Sequence, residues 1–269
     1  MTPKFHVLLL AWWLTQQVTG LTSLNMPSSF QLDMAPNAFD DQYEGCVEDM
    51  EEKAPRLLQE DFNMNKQLKS EWEKAEQQWK KIKTTVSYPK GFHDFHGTAL
   101  VAYTGAIYKD FNEAVREFKK KSSKFHYRAF HYYLTRALQL LNNQNCYTVY
   151  RGSQTKFHYS GKGPVRFGQL TSSSFTKKVA LENYGGARGT LLTIKTCLGV
   201  SIKTFSYSPG EEEVLIPGYE VYYRISPIGE GNKEMYLGFP KREKSNFNCF
   251  YSGSTDSSHF SGSGCGSES

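Results

Sequence analysis

The sequence predicts an α+β protein with a helical front and a β back. Apolar residues recur at the helical period up to about Asn145, and beyond it β-branched and aromatic residues alternate with a period of two. Composition supports a globular chain: of 269 residues, 39% are hydrophobic and 14% aromatic, with 22 Gly and 10 Pro. That excludes a disordered, collagen-like or disulfide-knot protein and is enough for a full-sized core. The formal charge of +5, from 32 basic and 27 acidic residues, is too small and too evenly spread to mark a nucleic-acid groove.

Residues 1–20 read as a secretory signal peptide. Lys4 supplies the positive start, Val7 to Leu14 the short apolar centre, and Val18-Thr19-Gly20 the small residues before cleavage near Gly20. Nowhere does an apolar run reach the ~20 residues of a membrane-spanning helix. A single domain is expected over residues 21–249, helical from about 38 to 145 and β from about 146 to 249. Within it, Leu68, Trp72, Ala75, Trp79 and Ile82 form one helical stripe. Pro55 is expected to separate that helix from a shorter one before it, and Tyr88-Pro89-Lys90-Gly91 to end the pair. A third helix is expected from about Asp110 to Lys120. The fourth carries Phe130, Tyr133, Leu134, Ala137, Leu138 and Leu141 on a face that reads as core. Strands are expected at Tyr147 to Arg151, Leu191 to Cys197, Ser201 to Tyr207, Glu213 to Ile216, Glu220 to Ile225 and Glu234 to Phe239. Phe250 to Ser269, with eight Ser and four Gly, reads as a flexible tail.

Export changes the reading of the five cysteines, Cys46, Cys146, Cys197, Cys249 and Cys265. In an oxidising compartment they favour two disulfides and one leftover thiol, and spacing does not choose the pairs. There is no C-x-x-C or H-E-x-x-H, and His93-x-x-His96 alone reads as surface chemistry rather than a ligand pair. No metal is expected.

The chain has no G-x-G-x-x-G after a strand, no G-x-x-x-x-G-K-[ST] and no G-x-S-x-G, which argues against a Rossmann enzyme, a P-loop NTPase and an α/β-hydrolase. Three stretches remain. Arg151 closes a strand and, taken alone, reads as a surface arginine. Ser172-Ser173-Ser174 suits a turn as well as anything else. Glu211-Glu212-Glu213 would be a solvated face, except that it runs into the apolar strand Val214-Leu215-Ile216. Residues two apart on a strand share a side, so Glu211 and Glu213 are expected to point together. Paired carboxylates beside apolar residues repel each other and resist burial, and an arrangement of that kind points to function.

An arginine ending one strand, a serine segment and E-x-E opening a third strand form the R-S-E signature of the arginine-specific mono-ADP-ribosyltransferases. The chain from about Ala35 to Cys249 resembles the vertebrate ecto-enzymes of that family, including the stretches APNAFDDQYEGC, FHGTALVAYTG, FHYYLTRALQLL, VYRG and EEEVLIPGYEV. The resemblance implies a β-sandwich-like core whose cleft holds NAD, and possible use of NADP, as co-substrate without a metal. Arg151 would grip the dinucleotide through a bidentate contact to phosphate. Ser172 would lie near the nicotinamide ribose and position Glu213, the catalytic carboxylate. Glu211 would orient and deprotonate the acceptor guanidinium. Tyr103, Gln169 and Ser206 fall where the family lines the dinucleotide pocket.

The resemblance also implies disulfides Cys46–Cys249 and Cys146–Cys197, with Cys265 left over. The expected activity is transfer of ADP-ribose from NAD to arginine in cell-surface or extracellular proteins, with some NAD hydrolysis. An NAD glycohydrolase and a catalytically silent secreted binding protein are the alternatives. The family's surface enzymes end in a hydrophobic tail exchanged for a GPI anchor, whereas this sequence ends at Gly264-Cys265-Gly266-Ser267-Glu268-Ser269. As written it reads as secreted, and a GPI-anchored form would require a longer chain. With no N-x-[ST] sequon, N-glycosylation is not expected.

Overall fold

The computed structural model of the protein describes residues 29–184, 189–229 and 233–252. The expected signal peptide, Cys265 and all but the first three residues of the expected tail lie outside them. Those three belong to the fold: Phe250 and Tyr251 pack edge to face on each other and on Phe118, and Ser252 is fully buried.

A short strand, β1 (Ser29–Leu32), precedes the helices α1 (Val47–Met64), α2 (Lys66–Ile82), α3 (Asp94–Tyr103), α4 (Tyr108–Arg116), α5 (Phe118–Lys121) and α6 (Arg128–Leu141). Pro55 does not break the first of these. It lies inside α1, which continues because Met50, Ala54, Leu57, Leu58 and Phe62 bury a common face, and packing outweighs the lost backbone bond. The boundary falls instead at Asn65, whose side chain accepts the Leu68 N–H at 2.9 Å and caps α2. Helix α3 escaped the periodicity reading because it is apolar on every side: residues 96 to 103 are all buried, so no stripe exists to detect. Gly97 explains how α3 comes so close to α2. A Cβ built there would lie 2.3 Å from the ring of Trp79, which is itself 1% exposed.

The β half comprises β2 (Tyr147–Ser153), β3 (Lys156–Tyr159), β4 (Thr171–Ser174), β5 (Thr190–Thr196), β6 (Val200–Ser201), β7 (Glu213–Ile216), β8 (Glu220–Ile228) and β9 (Glu234–Arg242), with a helix α7 (Lys177–Tyr184) after β4. Seven strands form one mixed sheet in the order β6-β7-β4-β2-β5-β9-β8, and β1 pairs with β3 in a separate parallel ribbon. The expected strand from Ser201 to Tyr207 stops at Ser201. The chain turns out of the sheet through the Phe205 N–H to Ile202 carbonyl bond, and Phe205 stacks on Trp79 at 5.7 Å. The serine triplet is strand β4, not a turn, since its neighbours on both sides are strands that need partners.

Two cores share the sheet. Leu170, Val200, Phe205 and Leu215 join the helices in one; Val149, Leu192, Val214, Ile216 and Leu237 meet Leu32 and Phe157 of the ribbon in the other. Strand β7 alternates between them, so its polar first residue, Glu213, shares a side with Leu215 and faces the helices.

Both implied disulfides are present. Cys146–Cys197 extends the β2–β5 ladder by one position, just beyond the Tyr147↔Thr196 pair. Cys46–Cys249 ties the start of α1 to the end of the described chain, and the adjacent residues Asp40 and Asp41 reinforce it. Asp40 accepts the N–H groups of Asn246 and Phe247 at 2.8 and 3.0 Å and pairs with buried Arg166. Asp41 accepts those of Tyr43, Cys249 and Phe250 at 2.8, 3.0 and 2.9 Å.

Replacing Gly97 by Ala forces a methyl group into the Trp79 ring. Chemical denaturation is expected to show a loss of about 1–3 kcal/mol, with the m-value unchanged.

Candidate active site

Strands β7, β4 and β2 lie side by side, and their pairing positions the three motif residues. Ser174 pairs with Glu213 and Ser172 with Leu215, which fixes β4 against β7 along its whole length. On the other flank β4 meets β2 at one pair among the described residues, Tyr150↔Ser174, and then parts from it. A parted sheet leaves backbone groups without ladder partners. Arg151 supplies one: its Nη1 donates to the Ser172 carbonyl at 2.7 Å across the opening. The guanidinium carries five N–H donors in a fixed fork, of which this contact uses one.

The opening is a narrow cleft. Tyr150 and Arg151 line it from β2, Ser172, Ser173 and Ser174 from β4, Val179 and Ala180 from α7, and Glu211 and Glu213 from the segment entering β7. Arg151, Ser172, Glu211 and Glu213 are thus brought together as expected, but not by strand periodicity. Glu211 ends a 3-10 turn (Pro209–Glu211), and Glu212 adopts a left-handed conformation with φ 48°. Only Glu213 belongs to β7. It is the turn that brings both outer carboxylates to the cleft and sends Glu212 away, to Thr176 Oγ1 at 2.9 Å and Lys203 Nζ at 3.1 Å. Ser174 holds the turn in place by donating to the Glu211 carbonyl at 2.8 Å.

Glu213 is 8% exposed, and burial raises its pKa above the usual carboxylate range. The negative charge of Glu211 pushes the same way, while a hydrogen bond from Ser172 and the charge of Arg151 pull it back. Tyr103, at the end of α3, stands behind this group. It is fully buried, donates to the Leu170 carbonyl at 3.3 Å, accepts from Asn112 Nδ2 at 3.0 Å and bonds the Ser172 side chain. Tyr103 therefore reaches the cleft through Ser172. Gln169 lies away from Arg151, in a second cavity with Phe39, Asp40 and His131, and accepts a hydrogen bond from Arg116. Ser206 lies outside the cleft lining, its hydroxyl accepting the Ser208 N–H at 2.9 Å in the loop that leads to Glu211. Asn112, Val179 and Ala180 carry no local signal in the sequence and join the site only by packing.

An electrophilic sugar carbon can be stabilised by a fixed carboxylate, and an arginine fork suits phosphate. On a parted mixed sheet beside a helical half, this chemistry fits an enzyme that transfers ADP-ribose from NAD, and the comparisons show that class. Residues 32–245 match the family described as NAD:arginine ADP-ribosyltransferase, and the chain belongs to that family. It is 66% identical over 256 residues to T-cell ecto-ADP-ribosyltransferase 2 of Mus musculus, covering 94% of this chain and 87% of the relative. It is 39% identical over 240 residues to GPI-linked NAD(P)(+)–arginine ADP-ribosyltransferase 1 of Mus musculus, covering 82% and 73%. The crystal structure of the mono-ADP-ribosyltransferase ART2.2 superposes with a TM-score of 0.80 at 65% identity, covering 82% of this chain and 99% of that one, and a mutant of it is known in complex with NAD.

Because the folded state raises the pKa of Glu213, the protonated form is favoured on folding. Below the unfolded carboxylate range this group does not oppose folding, and its destabilising effect grows as pH rises through the elevated pKa. Glu213→Gln is therefore expected to raise Tm at pH 7 relative to the parent, with the difference shrinking as the melts are repeated toward pH 4.

Proposed function

We propose that Arg151, Ser172, Glu213 and Glu211 carry the reaction of this enzyme, the transfer of ADP-ribose from NAD to an arginine side chain with release of nicotinamide. The observation that supports this most directly is the buried Glu213 carboxylate, ringed by Ser172, Arg151 and Glu211 on a parted sheet. Nicotinamide in NAD is already a cationic leaving group, so the bond from ribose C1′ to its nitrogen breaks with the electron pair going to nicotinamide. Positive charge then develops on the ribose, as in glycoside cleavage, and Glu213 stabilises it. Ser172 hydrogen-bonds that carboxylate and sets its position, while the Arg151 fork binds phosphate in a way a lysine could not.

The acceptor guanidinium is protonated in water and nucleophilic only after losing a proton. Glu211 stands beside the reacting carbon and accepts that proton as the guanidine nitrogen bonds C1′. The acceptors are arginines of extracellular or cell-surface proteins. Two disulfides, the signal-peptide reading of residues 1–20 and ecto-enzymes as relatives support a working place outside the cell. Among the described residues, no helix is long and apolar enough to cross a membrane.

The deciding experiment follows nicotinamide release by the purified protein with and without excess agmatine, counting labelled ADP-ribose on the acceptor. Label on agmatine is the expected result. Free ADP-ribose alone would make the protein an NAD glycohydrolase, and no release would leave it a binding protein. Glu211→Gln is expected to lower transfer by about 10²–10⁴-fold while NAD hydrolysis persists. Glu213→Gln is expected to lower both by at least ~10²-fold. Equal loss of the two activities in Glu211→Gln would contradict the division of roles.

A further inference from the structure

At the opposite end of α3 from Tyr103, about 15 Å along the helix, three metal-type ligands converge. His93 and His96 stand at the start of α3, as its N-cap and third residue, and Glu51 projects from α1. Each offers one ligand atom, and the three atoms lie within 4.8 Å of one another. His93 Nε2 is 3.0 Å from Glu51 Oε2, and His96 Nε2 is 3.7 Å from Glu51 Oε1. A tetrahedral ion with bonds of about 2.0–2.2 Å has edges of about 3.3–3.6 Å, so the three groups, each imidazole facing one oxygen of the same carboxylate, lie within a small adjustment of coordination distance.

A second observation points the same way. The His96 side chain is 0% exposed, yet its Nε2 has no hydrogen-bond partner, since 3.7 Å to Glu51 is too long for one. The His93 and Glu51 side chains are 40% and 36% exposed, which leaves an entry path and an open side for water.

We propose that Glu51, His93 and His96 form a binding site for a zinc-type divalent ion, separate from the catalytic cleft, that clips α1 to the start of α3. Two imidazoles and one carboxylate select such an ion over calcium or magnesium, which require oxygen ligands. The His93 backbone N–H donates to His96 Nδ1 at 3.1 Å and the His96 backbone N–H donates to the His93 side chain, so both neutral rings carry their protons on Nε2. On metal binding each ring's proton shifts from Nε2 to Nδ1, no proton is lost overall and both cap bonds break: the His96 amide keeps its bond to the His93 carbonyl and the His93 amide turns to water. The H-x-x-H spacing alone could not reveal the site, because the third ligand is 42 residues away in the chain.

The test uses the chelator-treated, disulfide-intact full chain carrying Cys265→Ser, which removes the leftover cysteine as a competing ligand. Titration calorimetry with Zn²⁺ is expected to give one equivalent. Tm is expected to rise by about 5–10 °C at roughly a hundredfold excess over Kd. Mg²⁺ is expected to do neither, and Co²⁺ to give the intense visible absorption of a tetrahedral centre. Glu51→Gln and His93→Asn, both at partly exposed positions, should each weaken Zn²⁺ binding at least about tenfold while leaving the metal-free Tm within ~1 °C. Absence of stoichiometric binding, or binding unchanged in both variants, would overturn the site and leave the trio as hydrogen-bonded side chains only.

Discussion

The parting of β2 from β4 is the constraint on which the rest of the site depends. A continuous sheet would close this space with ladder bonds, and an unsupported gap would leave carbonyls without donors. The Arg151 guanidinium resolves the conflict by donating to the Ser172 carbonyl from across the gap. One side chain thus keeps the sheet open and presents a cation in the opening. The Cys146–Cys197 disulfide secures β2 to β5 on the far flank, so the strand that bears Arg151 is anchored on one side and open on the other.

Glu213 shows the energetic counterpart. A carboxylate in a nearly closed, partly apolar site opposes folding, and the surrounding groups only partly relieve it. The fold tolerates it because β7 is buried on both faces and its register against β4 is complete, so apolar packing on Val214, Leu215 and Ile216 outweighs the first residue. The same arrangement fixes the side chain: Ser172, itself held by Tyr103 and through it by Asn112, bonds the Glu213 carboxylate and leaves it little freedom to turn out of the cleft.

Buried acids elsewhere are each held by several fixed donors. Asp40 and Asp41 tie residues 245–250 to the segment before α1, beside the Cys46–Cys249 disulfide. Glu220 accepts the Cys197 and Leu198 N–H groups at 2.7 and 2.9 Å at the end of β5. What separates these from Glu213 is their partners: several fixed donors satisfy each, whereas Glu213 faces a cleft and a second carboxylate.

Much of this protein is determined locally. The stripe from Leu68 to Ile82, the face of α6 and the alternation in β5, β8 and β9 are legible because each element buries one face or alternates two. The motif residues Arg151, Ser172, Glu211 and Glu213 are likewise legible through their resemblance to a family pattern. Tertiary structure decided the rest. Helix α3 has no polar face to betray its period, Pro55 was overruled by the packing of α1, and the serine triplet became a strand because β2 and β7 lay ready to pair with it. The convergence of Glu211 and Glu213 came from a 3-10 turn and one left-handed residue rather than from strand alternation, and Glu51 met His93 and His96 only because α1 and α3 both pack on α6. Periodicity records which face of an element is buried; which distant side chains then share a space is set by how those faces pack.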